Sequence, residues 1–181
     1  MADHDTHDHT GVPGVGGSGS VATDTIWTTA GKVAVATGTH TATEQWPPGY
    51  EFTYVAVTSP VTISATSEAA ANTVVTAGAV TFDGSTIVMV QFYCMAAPGA
   101  TATSSIQFWL YDGGSSIGLI GYFQAATGQE SSVKAEIRLT PSSASHTYSI
   151  RASRGVSNGL IDAGTGGAGQ SPPTFIRITK V

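Results

Sequence analysis

From residue 24 onward, short runs rich in Val, Ile, Thr, Phe and Tyr alternate with clusters of Gly, Asp, Asn, Ser and Pro. Branched and aromatic side chains pack well on a pleated surface, and the cluster residues turn the chain. The pattern predicts strands near residues 25–28, 32–36, 51–57, 61–66, 73–82, 86–95, 105–111, 117–124, 132–140, 146–152 and 174–180. Turns are expected at Asp83-Gly84, Pro98-Gly99, Asp112-Gly113-Gly114, Asn158-Gly159 and the Gly-rich stretch 163–170. No window carries a 3.6-residue period, and Ser67 to Asn72 suffices for one helical turn. Short strands at this spacing point to an antiparallel β-sandwich or jelly roll.

The runs are of two kinds. In residues 133–139, Val133, Ala135, Ile137 and Leu139 alternate with Lys134, Glu136 and Arg138, as in a strand with one wet face. The segment Ile87-Val88-Met89-Val90-Gln91-Phe92-Tyr93-Cys94 is apolar at nearly every position. In Ile106-Gln107-Phe108-Trp109-Leu110-Tyr111, Trp109 and Tyr111 oppose the face of Ile106, Phe108 and Leu110. A sandwich strand that is apolar on both faces needs a cover for the outer one, either a neighbouring subunit or a loop of the same chain. On the first alternative, Val88, Val90, Phe92, Trp109 and Tyr111 are the expected subunit contacts.

Composition agrees with strands. Charged residues make up 10% of the 181, too few to coat the outer faces of helices. The net charge is −5, and three of the 12 acids, Asp3, Asp5 and Asp8, lie in residues 1–20 without a compensating Lys or Arg. The remaining 161 residues therefore carry 9 acids against 7 bases. No basic stripe exists to neutralise phosphates, so neither nucleic acid nor an anionic membrane is an expected partner. The single cysteine, Cys94, sits in an apolar run and reads as a small buried hydrophobe. There is no basic segment leading into an apolar one at the start and no apolar stretch near 18 residues, so neither export nor membrane insertion is expected.

Chemistry is sparse. His40 and His146 lie beside Thr-rich segments without an acid–nucleophile pattern, and each reads as a surface or hydrogen-bonded histidine rather than a catalyst. The motifs of hydrolases, zinc proteases, phosphate loops and thiol redox sites are missing, and the expectation is a protein that is not an enzyme. Residues 1–20 stand apart, MADHDTHDHT followed by the spacer GVPGVGGSGS. Gly11, Gly14 and Gly17 keep a triplet register too briefly to hold a triple helix, so a flexible linker is expected. His7 and His9 are two residues apart and point the same way in an extended chain. Three such pairs about a threefold axis would offer six imidazole nitrogens, enough for octahedral Fe, Ni or Zn. The other reading is a solvated tail.

Three stretches resemble structural proteins of bacteriophage particles. HDHTGVPGVGG is similar to a His-rich element that precedes Gly-rich spacers in tail- and fibre-type proteins. Residues 24–38, DTIWTTAGKVAVATG, resemble the fibre element DTIWDAKGDLAVGTG, with Thr28-Thr29 for Asp-Ala and Lys32 for Asp. Pro48-Gly49-Tyr50-Glu51, Thr81-Phe82-Asp83-Gly84-Ser85, Leu110-Tyr111-Asp112-Gly113, Leu139-Thr140-Pro141, His146-Thr147-Tyr148, Ala163-Gly164 and Pro173 to Ile178 follow an order found in small virion proteins of actinobacterial phages.

The resemblance implies an all-β jelly roll of tumour-necrosis-factor or C1q shape over residues 21–181, preceded by an extended arm of residues 1–20. It implies a homotrimer on the virion exterior, assembled in the host cytoplasm. The arm, with His4, His7, His9, Val12 and Pro13, would fix it to a major capsid protein or to a tail or baseplate protein. The short chain favours a capsid decoration or head fibre, a minor capsid protein stabilising the shell or contacting the host. The rival is a tail-fibre or baseplate module that recognises a host cell-wall glycan through Trp46, Tyr50, Tyr122 and Phe123, residues that otherwise read as core. A glycan-processing enzyme would need paired acids, which the sequence does not place together.

Overall fold

A computed structural model describes residues 33–36, 42–97, 104–126 and 129–181. The chain divides into two compact units, the first ending at Pro48 and the second running from Gly49 to Val181. The boundary expected after residue 20 lies outside the described residues. In the first unit β1 (Val33–Ala36) and β2 (Ala42–Gln45) pair antiparallel as a sheet of their own.

The second unit is built from β3 (Glu51–Ala56), β4 (Val61–Ile63), β5 (Asn72–Thr76), β6 (Val80–Thr81), β7 (Val88–Ala97), β8 (Ser104–Asp112), β9 (Ser115–Ala125), β10 (Ser131–Leu139), β11 (Ser145–His146), β12 (Tyr148–Arg154), β13 (Gly159–Asp162) and β14 (Phe175–Lys180). Every pairing is antiparallel, and no helix occurs among the described residues.

The pairing has a simple logic. β8 and β9 form the hairpin at the middle of the ribbon, β7 pairs with β10, β5 with β12, and β3 with β14. Rolling this ribbon on itself adds the pairs β7–β14 and β8–β12. The result is one sheet in the order β3-β14-β7-β10 and another in the order β5-β12-β8-β9, which is the jelly roll. β13 continues the edge of β7 beyond β14 and carries β4. Two-stranded β6–β11 lies off both sheets.

Sequence explains the hairpin and the turns. Gly113 takes a positive φ of 55° between β8 and β9. Asp83 accepts backbone N–H bonds from Ser85 (2.8 Å) and Thr86 (2.7 Å), an Asx turn completed by Gly84 at φ 83°. Desolvation pushes the Asp83 carboxyl up, but these N–H groups and the Thr86 and Ser85 hydroxyls outweigh it and hold the pKa at about 2. In the Gly-rich stretch, a Cβ at Gly164 would collide with the Pro172 carbonyl, so only glycine lets the returning chain pass.

The core fills the space between the sheets. From the β7 sheet come Val88, Val90, Phe92, Cys94, Ile161, Ile176 and Ile178, and from the β8 sheet Ile106, Phe108, Leu110 and Ile150. Phe92 and Phe108 meet across it with ring centroids 5.4 Å apart. Burial pushes the Cys94 thiol up to about 12, against a hydrogen bond with the Val133 backbone, which leaves it unreactive. The run 73–82, expected as one strand, breaks at Ala77-Gly78-Ala79 into β5 and β6. The segment 67–72 makes one turn, closed by the Ala71 N–H to the Glu68 carbonyl at 3.0 Å.

Phe108 has no exposed surface, so Phe108→Ala is expected to lower unfolding free energy by about 3–5 kcal/mol. Val156→Ser, at a side chain 72% exposed, is expected to change it by less than about 0.5 kcal/mol. Equilibrium unfolding in urea measures both.

Candidate functional site

A polar cluster sits where β8 ends and β11 leads into β12. Pairing of Tyr148 with Asp112 brings His146 beside the Asp112 carboxylate. His146 Nδ1–H donates to Asp112 Oδ2 at 2.5 Å, and the Thr147 backbone N–H donates to Asp112 Oδ1 at 3.2 Å. His146 Nε2 lies 3.2 Å from the Ser142 hydroxyl and 3.1 Å from the Ser142 carbonyl. The imidazole stacks on Tyr148 at 5.9 Å and 10°, and Phe82 lies 5.9 Å away.

Serine, imidazole and carboxylate thus stand in the order of a nucleophilic relay. At Nε2 the Ser142 hydroxyl, which can donate or accept, and the Ser142 carbonyl, which only accepts, are both within reach. The hydrogen bond to Asp112 raises the His146 pKa, desolvation opposes it, and the Ser142 carbonyl and the Asp112 charge add to the rise. Burial and the same Asp112 charge push the Tyr148 phenol up to about 12. Together these groups form a clamp that ties the β8–β9 turn to the 142–146 segment.

The outer faces of the two sheets differ. On the β7 sheet, Tyr54, Phe175 and Tyr93 form a row of rings, with centroids 5.2 and 6.1 Å apart. Half-buried Met89 and Met95 lie on the same side of β7. Charges of both signs flank the row, as Arg177 Nε stands 2.7 Å from Glu51 Oε2 and Lys134 Nζ 3.0 Å from Glu136 Oε1. On the β8 sheet, the Arg151 guanidinium lies 4.1 Å above the Tyr111 ring, whose hydroxyl donates to the Glu68 carbonyl at 3.0 Å. Trp109 donates from Nε1 to Ser153 Oγ at 3.2 Å.

Several expected site residues are relocated. Val88, Val90 and Phe92 are not subunit contacts; they are 0%, 0% and 1% exposed and face the core. The two-residue pleat turns Met89, Gln91, Tyr93 and Met95 outward in their place. Tyr111 is also removed from that set, because Arg151 and the 67–71 turn cover it at 5% exposure. Trp109 stays on an outer face, half-buried. Phe123 belongs to the core, Tyr50 packs edge-on against Phe52, and Trp46 is half-buried. Tyr122 alone of the expected glycan contacts is well exposed, at 53%.

His4, His7, His9, Val12 and Pro13, and with them the expected Fe, Zn or Ni site, lie outside the described residues, as does His40. Among the described residues no group of three or more His, Cys, Asp or Glu is placed to hold a metal. The clamp at His146 was foreseen only as a hydrogen-bonded histidine; its partner Asp112 is 34 residues away in sequence, and only the β8–β12 pairing joins them. No family model and no curated protein matches this chain.

The raised His146 pKa fixes the sign of a pH effect. The clamp's contribution is complete below the ordinary histidine value of 6.5 and is lost as pH rises through the raised folded-state value. The melting temperature is expected to fall across that window, and Asp112→Asn to flatten the fall, as read by thermal denaturation at a series of pH values.

Proposed function

We propose that this chain is a non-enzymatic structural protein of a bacteriophage particle, displayed on its exterior as a trimer and fixed there by residues 1–20. What supports the phage assignment is the resemblance of the His-rich start, of residues 24–38 and of the motifs spread from Pro48 to Ile178. A jelly roll over residues 49–181 fits a capsid decoration or head fibre, held close to its attachment point.

The observation that carries the trimer is the ring row Tyr54–Phe175–Tyr93 with Met89 and Met95 beside it. A sheet face of this kind gains by exclusion from water. The flanking Arg177–Glu51 and Lys134–Glu136 pairs give it both charge signs, so a second copy meets complementary groups. The His146 clamp serves rigidity in this reading, and Cys94, the single cysteine, is buried.

Sedimentation equilibrium of the full chain is expected to give three times the 18.4 kDa of one protomer. Tyr54→Arg, at a side chain 46% exposed, is expected to shift the population toward monomer with the fold intact. A wild-type monomer at micromolar concentration overturns the trimer. Antibody labelling of intact particles tests the location, with labelled capsids expected and unlabelled particles overturning the assignment.

A further inference from the structure

The two sheets part along β9 and β10, leaving a cleft of about 780 Å³. Its exposed wall is the Tyr122 ring, and its polar groups include Gln124, Gln129, Glu130, Ser132 and Lys134. Buried Phe123 and Val133 close the floor. There a Cβ at Gly121 would stand 3.1 Å from Val133 Cγ1, so the strands are already in contact and no further strand fits between them. A smaller hollow of about 250 Å³, lined by Met95, Ala96, Leu160 and Asp162, shares Glu130 with the cleft.

We propose that this cleft binds a neutral oligosaccharide, stacked on Tyr122 and hydrogen-bonded by Gln124 and Glu130. The inference goes beyond the structural role and does not depend on where the protein sits on a particle. The cleft is broad and open to solvent, a shape that suits an extended, hydrated ligand. Tyr122 offers half its surface, and its hydroxyl donates to Gln124 Oε1 at 3.0 Å, which sets the ring beside the amide on one face of β9. A sugar ring presents an apolar C–H face to such a wall and hydroxyls to the groups around it. Amides donate and accept, and a carboxylate accepts from two hydroxyls at once.

Charge selects against other ligands. Lys134 Nζ is already paired with Glu136 at 3.0 Å, so Glu130 is the uncompensated charge and a phosphate or sulfate group would be repelled. An apolar ligand would strand the amides and carboxylates without partners. Asp162, across the smaller hollow from Glu130, extends the hydroxyl-binding surface to a second sugar unit.

The test incubates the full chain with arrayed short neutral oligosaccharides of glucose, galactose, mannose, arabinose and N-acetylglucosamine, followed by titration calorimetry on each sugar retained. At least one sugar is expected to bind, and Tyr122→Ala to weaken it by about tenfold or more. Gln124→Ala, on the exposed face of the same strand, is expected to weaken it as well and serves if Tyr122→Ala fails to fold. Retention of no neutral sugar overturns the proposal. So does equal affinity in wild type and the folded variants. Trimer formation is measured separately, so loss of sugar binding leaves the structural reading standing.

Discussion

Phe92 on β7 and Phe108 on β8 are the contact on which the two sheets converge. Each is at most 1% exposed, and their rings meet 5.4 Å apart between strands of 10 and 9 residues. Because side chains alternate along a strand, seating Phe92 inward also turns Val88, Val90, Cys94 and Ala96 inward and sends Met89, Tyr93 and Met95 outward. A one-residue slip would reverse every one of these assignments. The core, the outer ring row and the chemical silence of Cys94 therefore follow from the seating of one aromatic pair.

Charge is used sparingly and mostly to fasten connections. Asp83 caps the turn before β7, and Asp112 is the anchor of the His146 clamp. Arg154 donates to the carbonyls of Ser64 (2.9 Å) and Val156 (2.7 Å), joining the loop after β4 to the end of β12. Thr174 Oγ1, fully buried, donates to the Asp162 carbonyl at 2.5 Å and stitches β13 to the start of β14. Where loops are many and helices are missing among the described residues, such local fastenings decide which segments hold still.

The long strands were legible because their composition and spacing admit no other period, and β10 was readable down to its faces. The faces of β7 were not. Met89, Tyr93 and Met95 are as apolar as their neighbours, so periodicity could not separate a core side from an outer one, and Val88, Val90 and Phe92 were misassigned. β13 was missed because Gly159 to Asp162 is four residues between two turn clusters and reads as loop. It forms because β7 outruns β14 and leaves Met95 to Ala97 open for pairing. Tyr122 was identifiable as a candidate aromatic, but the cleft beside it depends on how two edge strands approach, which no local pattern records.

The pairing of β3 with β14 has a consequence for how the chain is made. β14 lies between β3 and β7, so the middle of one sheet is supplied by residues 175–180. Until the ribosome has released that segment, β3 has no partner and β7 shows an open edge. At about 5–20 residues per second, the strands made before β14 wait several seconds for this partner. A chain stopped before Phe175 would leave the edges of β3 and β7 unpaired, and open edges favour pairing between molecules.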